Sequence, residues 1–144
     1  GFIALSVVIA ATPTYSQIRD AVYRGTIVCD KLPFTERKMR EAISVRIAGG
    51  TVRYSHVVRL RDVPEAVAEE GTGKLEGTAL SLQGTWSSGN RQYQASYSGN
   101  FVRRSARLKG TQIWTDGGKT INRSCSGVIK RPLRAFLPRE RKTP

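Results

Sequence analysis

The chain has 144 residues, with 24 Lys and Arg against 11 Asp and Glu and a formal net charge of +13. This length fits one domain, and an apolar content of 39% supports one modest core. One His and two Cys exclude multi-His zinc sites, haem pairs and iron–sulfur clusters built within the chain, so we expect no metal and no other cofactor.

Residues 2–11, FIALSVVIAA, form an uncharged run that is too short to span a bilayer as a helix. The run is typical of the hydrophobic region of a secretory signal, with cleavage near Ser16. A buried first strand or helix and an uncleaved anchor are the alternatives. The sequence thus predicts a signal segment over 1–16, a barrel domain over 17–130, a basic, mobile tail over 131–144, and a periplasmic or secreted protein.

The two cysteines, Cys29 and Cys125, would meet an oxidising compartment after export. A zinc site is disfavoured because the chain has no CxxC motif and only His56 could add a nitrogen ligand. A free catalytic thiol would lack a supporting motif. We therefore expect one disulfide between Cys29 and Cys125.

Apolar and polar residues alternate from residue 21 to 130, with glycine-rich turns between the runs, which is typical of antiparallel strands. A Gly49–Gly50 turn would pair Ile47 with Val52, Val45 with Tyr54, and Ile43 with His56, all on one face. A Gly117–Gly118 turn would pair Trp114 with Ile121 and Gly110 with Cys125. Further strands are expected over 21–30, 74–86 and 91–103.

The expected fold is all-β: one antiparallel meander of about seven strands. A small closed or nearly closed barrel is favoured, because the two cysteines lie on the first and last strands and share inward parity. A β-sandwich is the alternative. Residues 63–70, VPEAVAEE, predict one short helical turn.

The outer face of the first hairpin carries the main functional signal. Its register would set Arg46 opposite Arg53, Arg40 opposite Arg59, and Lys38 opposite Arg61. Like charges directly opposite each other on two strands destabilise a sheet, so stability does not account for them. The six side chains would form a cationic ridge for phosphates or other anions. The alternative is an ordinary solvated face.

The tail extends this basic character and bears on the choice of partner, because residues 130–142 contain six Lys and Arg against Glu140 alone. Expected partners are anionic lipid headgroups, lipopolysaccharide, acidic polysaccharide or extracellular DNA. Sequence-specific nucleic-acid binding is disfavoured, because no recognition motif is present. Tyr93, Tyr97 and Phe101 could stack on bases, but their shared face is more typical of a core. Nothing in the sequence points to a particular oligomeric state.

A second group of residues would lie on the inner face, with His56 beside Tyr54 and Glu41. The pattern fits a core histidine satisfied by one carboxylate or backbone group. Two functional readings compete with that one: a small-ligand cavity, and a general base oriented by Glu41 for a hydrolase, although no nucleophile motif is present. The cavity would be lined by Glu41, Tyr54, His56, Trp86 and Trp114.

The leading prediction is accordingly an exported, non-enzymatic β-barrel that binds an anionic surface or polymer through the basic hairpin face. A carrier barrel for a small ligand, held in an aromatic-lined cavity, is the alternative. A hydrolase that uses His56 and Glu41 is the least favoured.

Overall fold

A computed structural model describes residues 18–63 and 65–133. Eight antiparallel strands follow one another as a meander and close into a barrel, with β1 paired to β8. The strands are β1 (Ala21–Cys29), β2 (Met39–Ala48), β3 (Thr51–Val58), β4 (Val67–Glu76), β5 (Ala79–Ser88), β6 (Arg91–Val102), β7 (Ser105–Asp116) and β8 (Lys119–Lys130). The predictions for residues 1–16 and for most of the tail lie outside the described residues.

The all-β prediction is confirmed, and the closed barrel that it favoured is formed instead of the alternative β-sandwich. Both predicted hairpin registers are also confirmed: Ile43 lies opposite His56 on β2 and β3, and Gly110 lies opposite Cys125 on β7 and β8. The turn glycines Gly49, Gly50, Gly117 and Gly118 all have positive φ, a conformation that glycine adopts without steric cost.

The barrel has eight strands because the region from 67 to 88 forms a hairpin and not one strand. The predicted helical turn over 63–70 is wrong, since β4 begins at Val67 and Gly77 lies in the turn to β5. Tertiary pairing overrides the local composition here. The inward positions of β4 include Glu69, Gly71 and Gly73, so the strand lacks the apolar alternation that identifies its neighbours.

Inward-facing side chains of all strands except β4 supply most of the core, which includes Trp86, Tyr93, Tyr97, Phe101 and Trp114. The predicted core face of β6 is therefore confirmed. One end of the barrel, which we call the mouth, carries the loop over 30–38 and the described residues between β3 and β4, 59–63 and 65–66. Leu32 is buried there, and the Phe34 ring lies 5.8 Å from that of Trp114, so the first loop covers the core.

Cys29 and Cys125 are directly opposite on β1 and β8 and form the expected disulfide. The bond lies on the inner face and joins the first and last strands. A disulfide is compatible with an oxidising periplasmic or extracellular location. Within residues 18–63 and 65–133, no helix has the length and apolar character needed to cross a membrane.

Candidate functional site

The interior contains a connected group of polar side chains near the mouth. We call this group the interior polar network: His56 and Tyr54 on β3, Glu69 on β4, Tyr93 and Tyr97 on β6, Gln112 on β7 and Arg123 on β8. All of these side chains are at most 5% exposed. Buried polar groups are costly unless they are hydrogen-bonded, so the network demands the connections that follow.

Glu69 is the centre of the network and is fully buried. The hydroxyls of Tyr54 and Tyr97 donate to its carboxylate at 3.2 Å, and its Oε2 contacts Nε2 of His56. The ladder between β3 and β4 sets His56 directly opposite Glu69, which places the imidazole beside the carboxylate. Several donors therefore replace the water that the carboxylate loses on folding.

Two inward glycines make room for the tyrosine that reaches Glu69. A Cβ atom on Gly71 would lie 2.3 Å from the Tyr54 ring, and one on Gly84 would lie 2.2 Å from its hydroxyl oxygen. The three residues are neighbours across β3, β4 and β5. The missing side chains thus let the Tyr54 ring lie flat over the strands and direct its hydroxyl to the carboxylate.

Gln112 connects this centre to the mouth. Its Nε2 donates to the Tyr97 hydroxyl at 2.8 Å, and its Oε1 accepts from Trp114 Nε1 at 3.0 Å and from Arg123 Nε at 2.7 Å. The amide therefore uses both ends, one toward Glu69 and one toward the guanidinium. The result is a continuous hydrogen-bonded path from His56 to Arg123.

Aromatic rings fill the space around the network. The Trp86 ring lies 5.5 Å from Tyr93 and 5.2 Å from Trp114, and the Tyr54 ring lies 5.9 Å from Tyr97. The Trp86 indole donates to the Val67 carbonyl at 3.2 Å, so its polar end is satisfied. These side chains occupy the interior with one another, in the edge-on and offset geometries that aromatic groups prefer.

The structure brings together four of the five predicted cavity residues, Tyr54, His56, Trp86 and Trp114, in this interior. The prediction that His56 is buried is confirmed. Of its two predicted partners, Glu41 is wrong, whereas a backbone group is present, because Nδ1 lies 3.4 Å from the Val57 carbonyl oxygen. Glu41 lies opposite Ile27 in the β1–β2 ladder, and the partner of His56 is Glu69, which the helical reading of 63–70 had concealed. His56 is 2% exposed, and Nε2 of its ring lies beside the Glu69 carboxylate and the Tyr93 hydroxyl.

The tyrosines of the network resist ionisation. Burial, followed by the nearby negative charge of Glu69, raises the pKa of Tyr54, Tyr93 and Tyr97 well above its usual value near 10. The unfolded chain loses phenolic protons near pH 10, whereas the folded chain keeps them. The contribution of these groups to stability is therefore complete below about pH 10 and is lost as the pH rises above it.

We expect the urea concentration at the unfolding midpoint to decrease as the pH is raised from about 9 to about 11, because the unfolded state releases protons that the network retains. Absorbance at 295 nm should show the network tyrosines ionising together with unfolding and not in a simple step near pH 10. Full ionisation of all tyrosines near pH 10 while the barrel keeps its near-ultraviolet circular dichroism would contradict the burial of the network.

A second region of interest lies on the outside of the barrel. The outward positions of five neighbouring strands, β7, β8, β1, β2 and β3, hold exposed cations and no carboxylate. Among residues 18–63 and 65–133, none of these cations forms an ion pair. We call this set the basic wall: Arg24, Arg40, Arg46, Arg53, Arg107, Lys109 and Lys130.

Two shallow grooves run along the basic wall. One, of about 760 Å³, lies between β7, β8 and β1 and is lined by Arg24, Arg107 and Lys130 among others. The other, of about 620 Å³, lies beside Arg46 and Arg53 and reaches Glu70 at the border of the wall. The opposite side, formed by β5 and β6, carries Ser, Thr, Gln and Asn at its outward positions and no outward charge.

Only part of the predicted cationic ridge is formed. Arg46 lies opposite Arg53 as predicted, but the rungs Arg40–Arg59 and Lys38–Arg61 are wrong, because β3 ends at Val58 and β2 begins at Met39. The chain leaves the ladder there to form the loops at the mouth. Those loops give the cations other partners: Lys38 lies 3.8 Å from Asp30, and Arg61 lies 3.3 Å from Glu36.

A like-charged pair that the sequence reading did not include lies across the barrel closure. Arg24 is directly opposite Lys130 on β1 and β8. Its only sequence signal is the outward parity of both residues, which becomes informative once the two end strands are known to pair. The wall therefore extends from the first hairpin across the closure to β7.

The fold and the two sites define a small, closed antiparallel barrel with a buried polar network and one basic side. In the part of the chain that the structure describes, no group of three or more His, Cys, Asp or Glu is placed to hold a metal ion. The chain matches none of the protein-family models, curated proteins or solved structures with which it was compared.

Proposed function

We propose that the protein is exported and binds an anionic polymer or surface through the basic wall. The observation that carries the proposal is the composition of the outward positions on five neighbouring strands, where cations occur without any carboxylate. A long array of anionic groups would neutralise these cations and release its own counterions. The Cys29–Cys125 disulfide supports an extracytoplasmic setting.

The arrangement of the wall supports function over stability. Two like-charged pairs, Arg46 with Arg53 and Arg24 with Lys130, lie directly opposite each other on neighbouring strands, where they repel. The neutral side formed by β5 and β6 has no such pairs. An ordinary solvated surface would intersperse both signs of charge. A partner that supplies negative charge along the wall would turn this repulsion into attraction.

The filled interior favours this proposal over a carrier. Ring-to-ring contacts among Trp86, Tyr93 and Trp114 occupy the space where a carrier would hold its ligand. Binding on the outside requires no rearrangement of these rings. The hydrolase reading loses its proposed dyad, because Glu41 is not the partner of His56.

We expect the triple substitution Arg24→Gln, Arg46→Gln and Arg53→Gln to weaken binding to immobilised heparin and to anionic lipid vesicles. The slope of log K against log salt should become shallower by about one for each lost anion contact. Stability should be unchanged or slightly raised, because both like-charged pairs are relieved. Titration across a salt series, with urea unfolding in parallel, measures both effects.

A matched control removes the same charge elsewhere. Lys31→Gln, Lys74→Gln and Lys119→Gln change exposed cations that are not part of the basic wall. This control should bind nearly as the parent does. If the two triple variants lose binding equally, the effect is one of net charge only and the wall is not the binding surface. Retention of binding by the wall variant, with loss on deletion of residues 134–144, would assign binding to the tail.

A further inference from the structure

A groove of about 580 Å³ opens at the mouth between the loop that follows β1 and the loop that follows β3. Its apolar lining includes Phe34, Met39 and Leu60, each of them partly buried against the core. Arg123 lines the same groove and is 5% exposed. The groove thus combines an apolar surface with a buried cation, and its volume falls in the range of small-molecule sites.

Each nitrogen of Arg123 has a hydrogen-bond partner, but none of these partners is charged. Its Nε donates to Gln112, one terminal nitrogen lies 3.3 Å from the Asp30 carbonyl oxygen, and the other lies 3.3 Å from the Met39 sulfur. All of these acceptors are neutral. Within residues 18–63 and 65–133, no carboxylate forms an ion pair with this guanidinium. A buried guanidinium with only neutral partners is costly, because a charge loses its hydration without gaining a counter-charge.

Arg91, another inward-facing arginine at the mouth, has carboxylate partners, unlike Arg123. Arg91 lies over the Phe34 ring at 4.2 Å and pairs with Asp62 at 2.6 Å and Asp116 at 3.4 Å. The mouth therefore provides carboxylates for one inward-facing arginine and not for the other.

The other acidic residues near the groove do not supply a counter-charge to Arg123. Glu36 pairs with Arg61, and Asp30 lies near Lys38. Glu41 lines the groove but forms no ion pair in the described part of the chain. Glu69 reaches Arg123 only through Tyr97 and Gln112, and its carboxylate already accepts from tyrosine hydroxyls and contacts His56.

We propose that the mouth groove binds an organic anion, a carboxylate on an apolar chain, with the carboxylate on Arg123 and the chain against Phe34 and Leu60. The guanidinium retains N–H groups for a carboxylate, since the fork carries five donors. Other cations along the groove attract the anion toward Arg123, and their positive charge exceeds the negative charge of Glu36, Glu41 and Asp62. These cations are Arg37, Lys38, Arg40, Arg59 and Arg61. This site is independent of the polymer-binding surface proposed above, apart from Arg40, which lies at the edge of both.

Decanoate, decanol and acetate are the probes, because they separate the charge from the chain. Trp114 reports occupancy, since its ring lies 5.0 Å from the Arg123 guanidinium carbon and 5.8 Å from the Phe34 ring. We expect decanoate to change tryptophan fluorescence saturably, and decanol and acetate to bind at least about tenfold more weakly. Equal binding of decanol and decanoate, or no saturable decanoate signal, would overturn the proposal.

Variants locate the site. Arg123→Lys keeps a positive charge but loses the planar fork, and Leu60→Gln changes only the partly exposed apolar lining; both should weaken decanoate binding several-fold. Urea unfolding identifies any variant that is not folded. If Arg123→Lys does not fold, Leu60→Gln still tests the site. Decanoate binding unchanged in Leu60→Gln would contradict the proposed position of the chain.

Arg107→Gln on the basic wall is the matched control and should leave decanoate binding unchanged. Binding of decanoate without binding of heparin would contradict the proposed function and support the mouth site. Binding of heparin without binding of decanoate would support the proposed function and contradict the mouth site.

Discussion

Replacing Glu69 with Gln should lower the free energy of unfolding by about 3 kcal/mol, because several buried donors then lose their carboxylate acceptor. The amide keeps the shape of the side chain but removes the charge that Tyr54, Tyr97 and His56 face. It also brings an N–H group among side chains that already donate. Urea unfolding followed by circular dichroism measures the change.

Glu70→Gln provides the matched control, because Glu70 is the next residue and is exposed on the outside of β4. Its effect should stay within about 0.5 kcal/mol. A double-mutant cycle of Glu69→Gln with His56→Gln should give a coupling energy of at least about 1 kcal/mol, since the two side chains are in contact. Parent-like stability of Glu69→Gln would show that the network is not needed for the fold.

The second large effect is expected from the disulfide. In the chain-entropy model, a bridge that spans 96 residues in sequence contributes about 4–5 kcal/mol, mainly by restricting the unfolded chain. The double substitution Cys29→Ala and Cys125→Ala should remove that contribution. Both cysteines lie in the core, so small apolar replacements add no buried polar group.

A reductant supplies the control for this experiment. Reduction should destabilise the parent by a similar amount and leave the Cys29→Ala, Cys125→Ala variant unchanged. If reduction of the parent has no effect on its urea midpoint, the bridge contributes nothing and the closure of the barrel is sufficient by itself. An equal loss in both proteins would indicate that the reductant acts elsewhere.

Much of the fold could be predicted from periodicity. Alternation on β2, β3 and β6, together with the Gly49–Gly50 and Gly117–Gly118 turns, was enough to fix the hairpin registers and the inward face of the cysteines. β4 could not be predicted in the same way, because its inward positions include a buried carboxylate and glycines. Those residues fit the groups that face them across the barrel. The sequence of the β4 segment alone does not contain those groups.

The same distinction explains the outcome for the sites. Gln112 lies between the inward residues Gly110 and Trp114, and Arg123 lies between Ile121 and Cys125, so parity alone could have indicated both as interior polar residues. Glu69 could not be indicated while its segment read as a helix. The basic wall required knowledge that β1 pairs with β8, because closure is what sets Arg24 opposite Lys130.

The closure is the shorter of the two ladders that β8 forms: it extends only from Arg24–Lys130 to Cys29–Cys125, whereas β7 and β8 pair over their whole length. A barrel opened along this line would expose two strand edges with free N–H and C=O groups, the kind of surface on which chains add to one another as fibrils. The bridge lies at one end of that line and holds the edges together. We therefore expect the bridge to limit self-association as well as unfolding.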